Sequence, residues 1–186
     1  MQRSIHLQLA KVYWKKLLSP GDLAIDATAG NGKDALFLAE LGCLLFALDV
    51  QATAIEKTQA LLREKGVLDR ATLLCMPHDD LRKVPCPKPP RLVVYNLGYL
   101  PGGDKSLTTK TVTTLASIAS ALKILAPDGA LSITCYPGHP EGKREEEALF
   151  RWAASLSPDD WAVRIHRQED RPLAPSLLWI ARSKNA

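Results

Sequence analysis

The sequence predicts an α/β domain: a seven-stranded, mostly parallel sheet flanked by helices, with one further helix ahead of the first strand. Three observations carry this. Apolar runs of strand length alternate with segments of helical period, turn residues separate them, and the composition is that of an ordinary globular chain. With 186 residues, 46% hydrophobic and 24% charged, the chain can bury roughly 70% of its unfolded surface without disulfide or metal support, which excludes disorder for most of it. One domain over 1–186 is expected, with 1–20 as a helical appendage.

Taking the elements in order, Leu7, Ala10, Trp14 and Leu17 recur at helical spacing ahead of Pro20-Gly21, so residues 4–18 form an amphipathic helix. Residues 23–25 form the first strand, and a glycine-rich turn leads to a helix over 35–41. A strand over 43–48 follows, then a polar-faced helix over 52–64 and a third strand over 71–75. Residues 91–95 are the fourth strand. Leu115, Ile118, Ala119, Leu122 and Leu125 line one face of a helix over 112–125. Pro127-Asp128-Gly129 turns the chain into a fifth strand at 130–135. A charged helix at 145–155 and strands at 161–166 and 177–181 complete the pattern.

Lys+Arg exceed Asp+Glu by 24 to 20, a net +4, which permits a polyanionic partner without requiring one. Cys43, Cys75, Cys86 and Cys135 lie too far apart for a zinc pattern or a redox pair, so buried free thiols are expected. No apolar run reaches the roughly 18 residues of a membrane span. Lys11, Lys15 and Lys16 interrupt the region where a signal peptide would be apolar, and a cytoplasmic protein is expected.

Ligands of open α/β sheets bind beyond the carboxyl ends of the strands, where the strand order reverses. The first such turn is Asp26-Ala27-Thr28-Ala29-Gly30-Asn31-Gly32. Its glycines permit close backbone approach to a ligand at a helix N-terminus. No Gly-Lys-Ser/Thr follows, so this is not a Walker loop. An acid before the glycines instead suits a cationic ligand end, such as an amino acid's ammonium, and places Asp26 there. The second strand leads to Asp49, about 20 residues further on, where a carboxylate takes ribose hydroxyls.

This arrangement resembles the class I S-adenosylmethionine-dependent methyltransferases with their Rossmann-like fold. The resemblance implies a cofactor site made of Asp26, Thr28, Ala29, Gly30, Asn31 and Gly32, of Asp49 with Val50 and Gln51, and of His78, Asp79, Asn96 and Gly98. Asp79 is preferred over Asp80 near the adenine amino group, although either acid could instead cap the following helix. His78 could stack on or hydrogen-bond the adenine. Asn96 and Tyr99 fall where methyltransferases of exocyclic amines carry Asn/Asp-Pro-Pro-Tyr, whose Asn oxygen accepts from the amine and aims its lone pair at the methyl. Leu97 and Gly98 replace the prolines.

The longer strings Asn96-Leu-Gly-Tyr-Leu-Pro-Gly-Gly-Asp-Lys105 with Thr108-Thr109-Lys110, and Tyr136-Pro-Gly-His-Pro140 with Gly142-Lys143, look like the YtqB-type rRNA methylase family, which is associated with the tRNA methyltransferase MnmM. That resemblance implies methylation of the aminomethyl nitrogen of 5-aminomethyl-2-thiouridine at the tRNA wobble position. Candidate catalytic residues are Asn96, Tyr99, Asp104 and His139: Asn96 positions the amine, Asp104 attracts the ammonium, and His139 takes its proton. Tyr99 could stack on the wobble base. Lys105, Thr108, Thr109, Lys110, Tyr136, His139, Lys143 and Arg144 are the candidate contacts to the anticodon arm, the cations through phosphates. Glu145-Glu146-Glu147 directly after Arg144 weakens a simple basic patch. Arg164, Arg167 and Arg171 could extend that surface. The first helix, with Arg3, Lys11, Lys15 and Lys16, could contact RNA or pair with a second copy in a homodimer. No metal is expected. Methylation of an rRNA base, a small amine or a protein amide stays open, as does a non-catalytic nucleoside- or RNA-binding module.

Overall fold

The computed structural model of the chain describes residues 5–98, 102 and 108–183. Its elements are α1 (Ile5–Leu17), β1 (Leu23–Asp26), α2 (Lys33–Glu40), β2 (Leu44–Asp49), α3 (Ala52–Glu64), β3 (Ala71–Cys75), β4 (Leu92–Asn96), α4 (Thr111–Ile124), β5 (Ala130–Cys135), α5 (Pro140–Ala154), β6 (Trp161–His166) and β7 (Ser176–Arg182), with short 3-10 turns at Leu68–Arg70 and Leu81–Lys83. The seven strands run in the order β3-β2-β1-β4-β5-β7-β6. β1 to β5 pair in parallel, and β7 runs against both of its neighbours. The order reverses at β1 and β4, so the turns leaving those two strands diverge and open a crevice.

Strands buried on both faces need mostly apolar side chains, and β1, β5 and the first five residues of β7 are buried throughout. Their alternate residues feed two cores. Leu23, Ile25, Val93, Tyr95, Leu131 and Ile133 pack with Ile118 and Ala121 of α4 and Leu149 and Ala153 of α5. Ala24, Leu45, Ala47, Leu92, Val94, Leu177 and Trp179 pack on the other face with Ala10 and Trp14 of α1 and Ala35 and Leu38 of α2. The first helix is therefore part of the fold: Tyr13 stacks on Trp179 with ring centroids 4.9 Å apart and its hydroxyl lies 2.9 Å from His166 Nε2. Lys11 and Lys15 turn over the ring of Phe37. Its inward side faces the sheet, not a second copy.

Two expectations change. The charged helix starts at Pro140, five residues earlier than the pattern of charges suggests, because His139 caps it and proline suits its first position. Of the four cysteines only Cys43 and Cys135 are buried. Cys86 is half-buried, and Cys75 is exposed because β3 is an edge strand with partly open faces.

Gly32 begins α2 with φ of +75°. A Cβ there would come within 2.9 Å of the Thr58 backbone on α3, so this glycine serves the approach of α2 to α3. Gly32→Ala should lower unfolding stability by at least about 2 kcal/mol, combining the roughly 1–2 kcal/mol of left-handed strain with overpacking. Urea denaturation of the variant checks this, and an unchanged midpoint would refute it.

Candidate active site

A cleft of about 730 Å³ lies at the carboxyl ends of β1, β2 and β4, inside the range of roughly 300–1,000 Å³ usual for small-molecule sites. Thr28, Ala29, Gly30 and Asn31 line it from the β1 turn, Asp49, Val50 and Gln51 from the β2 turn, and His78 and Asp79 from the β3 turn. Asn96, Gly98, Thr108, Thr109, Lys110, Tyr136 and His139 form the other wall. Tyr99, Asp104, Lys105 and Arg3 lie outside the described residues. Lys143 and Arg144 are exposed on the first turns of α5 and do not line the cleft.

Asp49 organises the first wall. Its Oδ2 accepts the Gly30 N–H at 2.9 Å and its Oδ1 the Gln51 N–H at 2.9 Å. Each oxygen keeps a lone pair for a further donor, which suits the vicinal hydroxyls of a ribose. Of the two acids after β3, Asp80 caps the short 3-10 turn by accepting the Arg82 N–H and pairs with the Arg82 side chain. Asp79 faces the cleft instead, and its buried Oδ1 has no hydrogen-bond partner among the described residues; neither does His78 Nε2. Buried polar atoms are normally paired, so both atoms suit a ligand with polar edges. Burial lowers the His78 pKa, and the ring rests edge-on against Tyr95 at 6.0 Å. These orphaned atoms and the Asp49 carboxylate together fit an adenine nucleoside, as S-adenosylmethionine carries.

Asn96 ends β4. Its backbone N–H donates to Thr28 Oγ1 at 2.7 Å, and its Nδ2 donates to Asp34 Oδ2 at 2.8 Å. Gly98 explains why prolines are absent after it. With φ of +123°, its N–H donates to Thr109 Oγ1 and its carbonyl accepts the Thr109 N–H, so hydrogen bonds stiffen the loop where rings would. Thr109 Oγ1 donates in turn to Glu145 Oε2, and Thr114 Oγ1 to Glu145 Oε1. Glu146 is likewise buried and accepts from Ser176. Two carboxylates of the acidic run are thus interior anchors, and only Glu147 shares the surface with Lys143 and Arg144.

His139 does not suit the role of base. Its Nδ1 accepts the Gly142 N–H as the cap of α5, which places the proton of the neutral ring on Nε2 and leaves that nitrogen a donor. Tyr136 is a poor base too, because burial holds its hydroxyl protonated, pushed up to about 12.

Several cleft residues escape the sequence reading, among them Asp34 and Leu7. Asp34, in the first turn of α2, lines the cleft and pairs with Lys11 Nζ at 3.6 Å; Gly32-Lys33-Asp34 looks like the ordinary acidic start of a helix. Leu7 of α1 also lines the cleft, and only the docking of that helix brings it there. Asp26, by contrast, is wholly buried behind the β1 turn and does not line the cleft; its Oδ1 accepts the Thr28 N–H at 3.2 Å.

Burial, then the charge of Asp34 and more weakly that of Asp49, pushes the Asp26 carboxyl up to about 8 from an ordinary 3.8. The native state therefore holds a proton that the unfolded chain releases, and this contribution to stability is complete below pH 3.8 and lost as pH rises through about 8. Asp26→Asn, which keeps an acceptor for Thr28, should flatten the decline in stability across that window. Unfolding midpoints measured against pH check this; parallel profiles would refute it.

Comparison with known proteins agrees with the geometry. Residues 45–182 match the family described as "Putative rRNA methylase". The chain is 36% identical, over 96% of its length and 69% of the relative's, to the "tRNA (mnm(5)s(2)U34)-methyltransferase, chloroplastic" of Arabidopsis thaliana. A solved "putative rRNA-methylase" of Clostridium thermocellum superposes with a TM-score of 0.92 at 29% identity, covering 98% of this chain and 100% of that one. A "putative methyltransferase" of Streptococcus mutans, solved "in complex with SAH", superposes with a TM-score of 0.87, also at 29% identity, covering 98% and 99%. With its strand order, its cleft and its motifs in agreement, the chain belongs to this rRNA-methylase family and has the class I S-adenosylmethionine-dependent methyltransferase fold.

Proposed function

We propose that the protein transfers a methyl group from S-adenosylmethionine to the aminomethyl nitrogen of 5-aminomethyl-2-thiouridine at the tRNA wobble position, giving 5-methylaminomethyl-2-thiouridine. The observation that carries this reading is the Asn96 side chain. Its Nδ2 is committed to Asp34, so the end of the amide left for the cleft is an acceptor, as an amine N–H requires. The name of the Arabidopsis relative supplies the particular amine.

Bound S-adenosylmethionine supplies a sulfonium methyl whose C–S bond breaks as the C–N bond forms. The chain's own residues bind and align. Asp49 takes the ribose hydroxyls, Asp79 and His78 meet the adenine edge, and the β1 turn approaches the methionine end through the backbone of Thr28 to Gly30. Asn96 Oδ1 accepts an amine N–H and so directs the nitrogen lone pair; such alignment is where much of the rate of a displacement originates. Lys110, Lys143 and Arg144 are exposed and would contact phosphates of the anticodon arm, positioning the RNA without reading its sequence. Among the described residues no helix is long and apolar enough to cross a membrane, and a cytoplasmic location belongs to the proposal.

Three outcomes are expected. Asp49→Ala should weaken binding of S-adenosylhomocysteine by about 1–3 kcal/mol, the cost of leaving buried donors unpaired; calorimetry giving equal affinity in a folded variant would remove the ribose assignment. Purified protein should methylate an anticodon stem-loop carrying 5-aminomethyl-2-thiouridine, with activity falling steeply as salt rises. Mass spectrometry of the nucleosides is the readout, and Asn96→Ala should lower turnover by about 10²-fold with little change in cofactor affinity. Equal activity on the free nucleoside, or a flat salt response, would favour a small amine as the substrate.

A further inference from the structure

We propose that Asp34 is the positioning residue of the transfer step: its carboxylate turns the Asn96 side-chain amide so that the oxygen, and not the NH2, meets the substrate amine. This rests on the amine-accepting role of Asn96 in the proposed function. The two ends of an asparagine amide are nearly the same size, so packing alone does not choose between them. A carboxylate does, because it only accepts. Asp34 Oδ2 lies 2.8 Å from Asn96 Nδ2, and the reversed amide would set oxygen against oxygen there while aiming an N–H at the amine.

The rest of the geometry keeps this device in one state. The Asn96 main chain is held separately by Thr28 Oγ1, so the side-chain torsions are the freedom that Asp34 removes. Asp34 is 9% exposed, sits in the first turn of α2 where the helix favours negative charge, and meets Lys11 Nζ from α1 at 3.6 Å. Its charge helps to hold both Asp26 and Tyr136 protonated, so neither places a second negative charge beside it. One carboxylate thus couples α1 and α2 to the end of β4.

The decisive variant is Asp34→Asn, nearly isosteric but able to present either a donor or an acceptor. Turnover on the modified stem-loop should fall by at least about tenfold at saturating substrate. The KM for the stem-loop and the affinity for S-adenosylhomocysteine should each stay within about twofold, and the midpoint of the pH–rate profile should not move. Unchanged turnover would overturn the proposal. Loss of activity together with a displaced pH midpoint would also overturn it, making Asp34 a proton acceptor. A second readout needs neither substrate nor variant at Asp34. In the wild-type protein the Asn96 NH2 resonance, identified by its absence from Asn96→Ala, should be protected from solvent exchange; exchange at the rate of exposed amides would overturn the proposal even if Asp34→Asn failed to fold. If the wild-type protein left the stem-loop unmethylated, the proposed function would fall, whereas the NH2 readout would still decide the orientation.

Discussion

β1 pairs in parallel with β2 on one side and with β4 on the other, and that double pairing dictates where everything else goes. The chain leaving β1 enters α2 on one face of the sheet, and the chain leaving β4 reaches α4 on the opposite face. The two exits diverge, so their side chains bridge the strand ends without filling the space beyond them. What remains is a crevice floored by strand ends, whose backbone groups lack neighbours to pair with. Polar side chains satisfy them: Asp49 bonds Gly30 and Gln51, Thr28 bonds Asn96, and Thr109 bonds Gly98. The crevice is therefore polar at its base by necessity, and a ligand meets groups already held in place.

Much of this was legible in the sequence, and most of the misses share a cause. The seven strands and the helices between them follow from local periodicity, and Asp49 follows from its place after the second strand. Asp79 and Asp80 divide the roles of wall and cap as two adjacent acids can. Residues whose roles depend on a partner far along the chain were hidden. Gly32 looks only like a ligand-facing glycine until Thr58 appears against it. Asp34 looks like a helix-start acid until Asn96 and Lys11 are seen beside it. His139 is the exception: its partner is the Gly142 N–H three residues on, and the cap was hidden because the charges place the start of that helix at 145 and not at Pro140.

The acidic run shows the same point for charge. Counted along the sequence, three glutamates cancel the neighbouring cations. In the fold, Glu145 and Glu146 are interior, and burial raises the Glu145 pKa despite its two threonine donors. The cations at the rim are opposed by fewer exposed carboxylates than the sequence suggests, and the buried acids spend their hydrogen-bonding capacity on tying α4, α5 and β7 together.

The seating of α1 bears on how the protein is made. This helix packs on α2 and the neighbouring face of the sheet and also on Trp179 of β7, and β7 lies between β5 and β6, so the earliest described helix to leave the ribosome completes its seat only when the last described strand arrives. Leu7 and Lys11 belong to that helix, and until residues 176–182 emerge part of the surface that seats it against the cleft is missing. Domains tend to fold from the N-terminal side during synthesis. Here the wall of the cleft is completed out of that order, so a nascent chain holding β1 to β5 carries the turns of the site without the enclosure that makes it one.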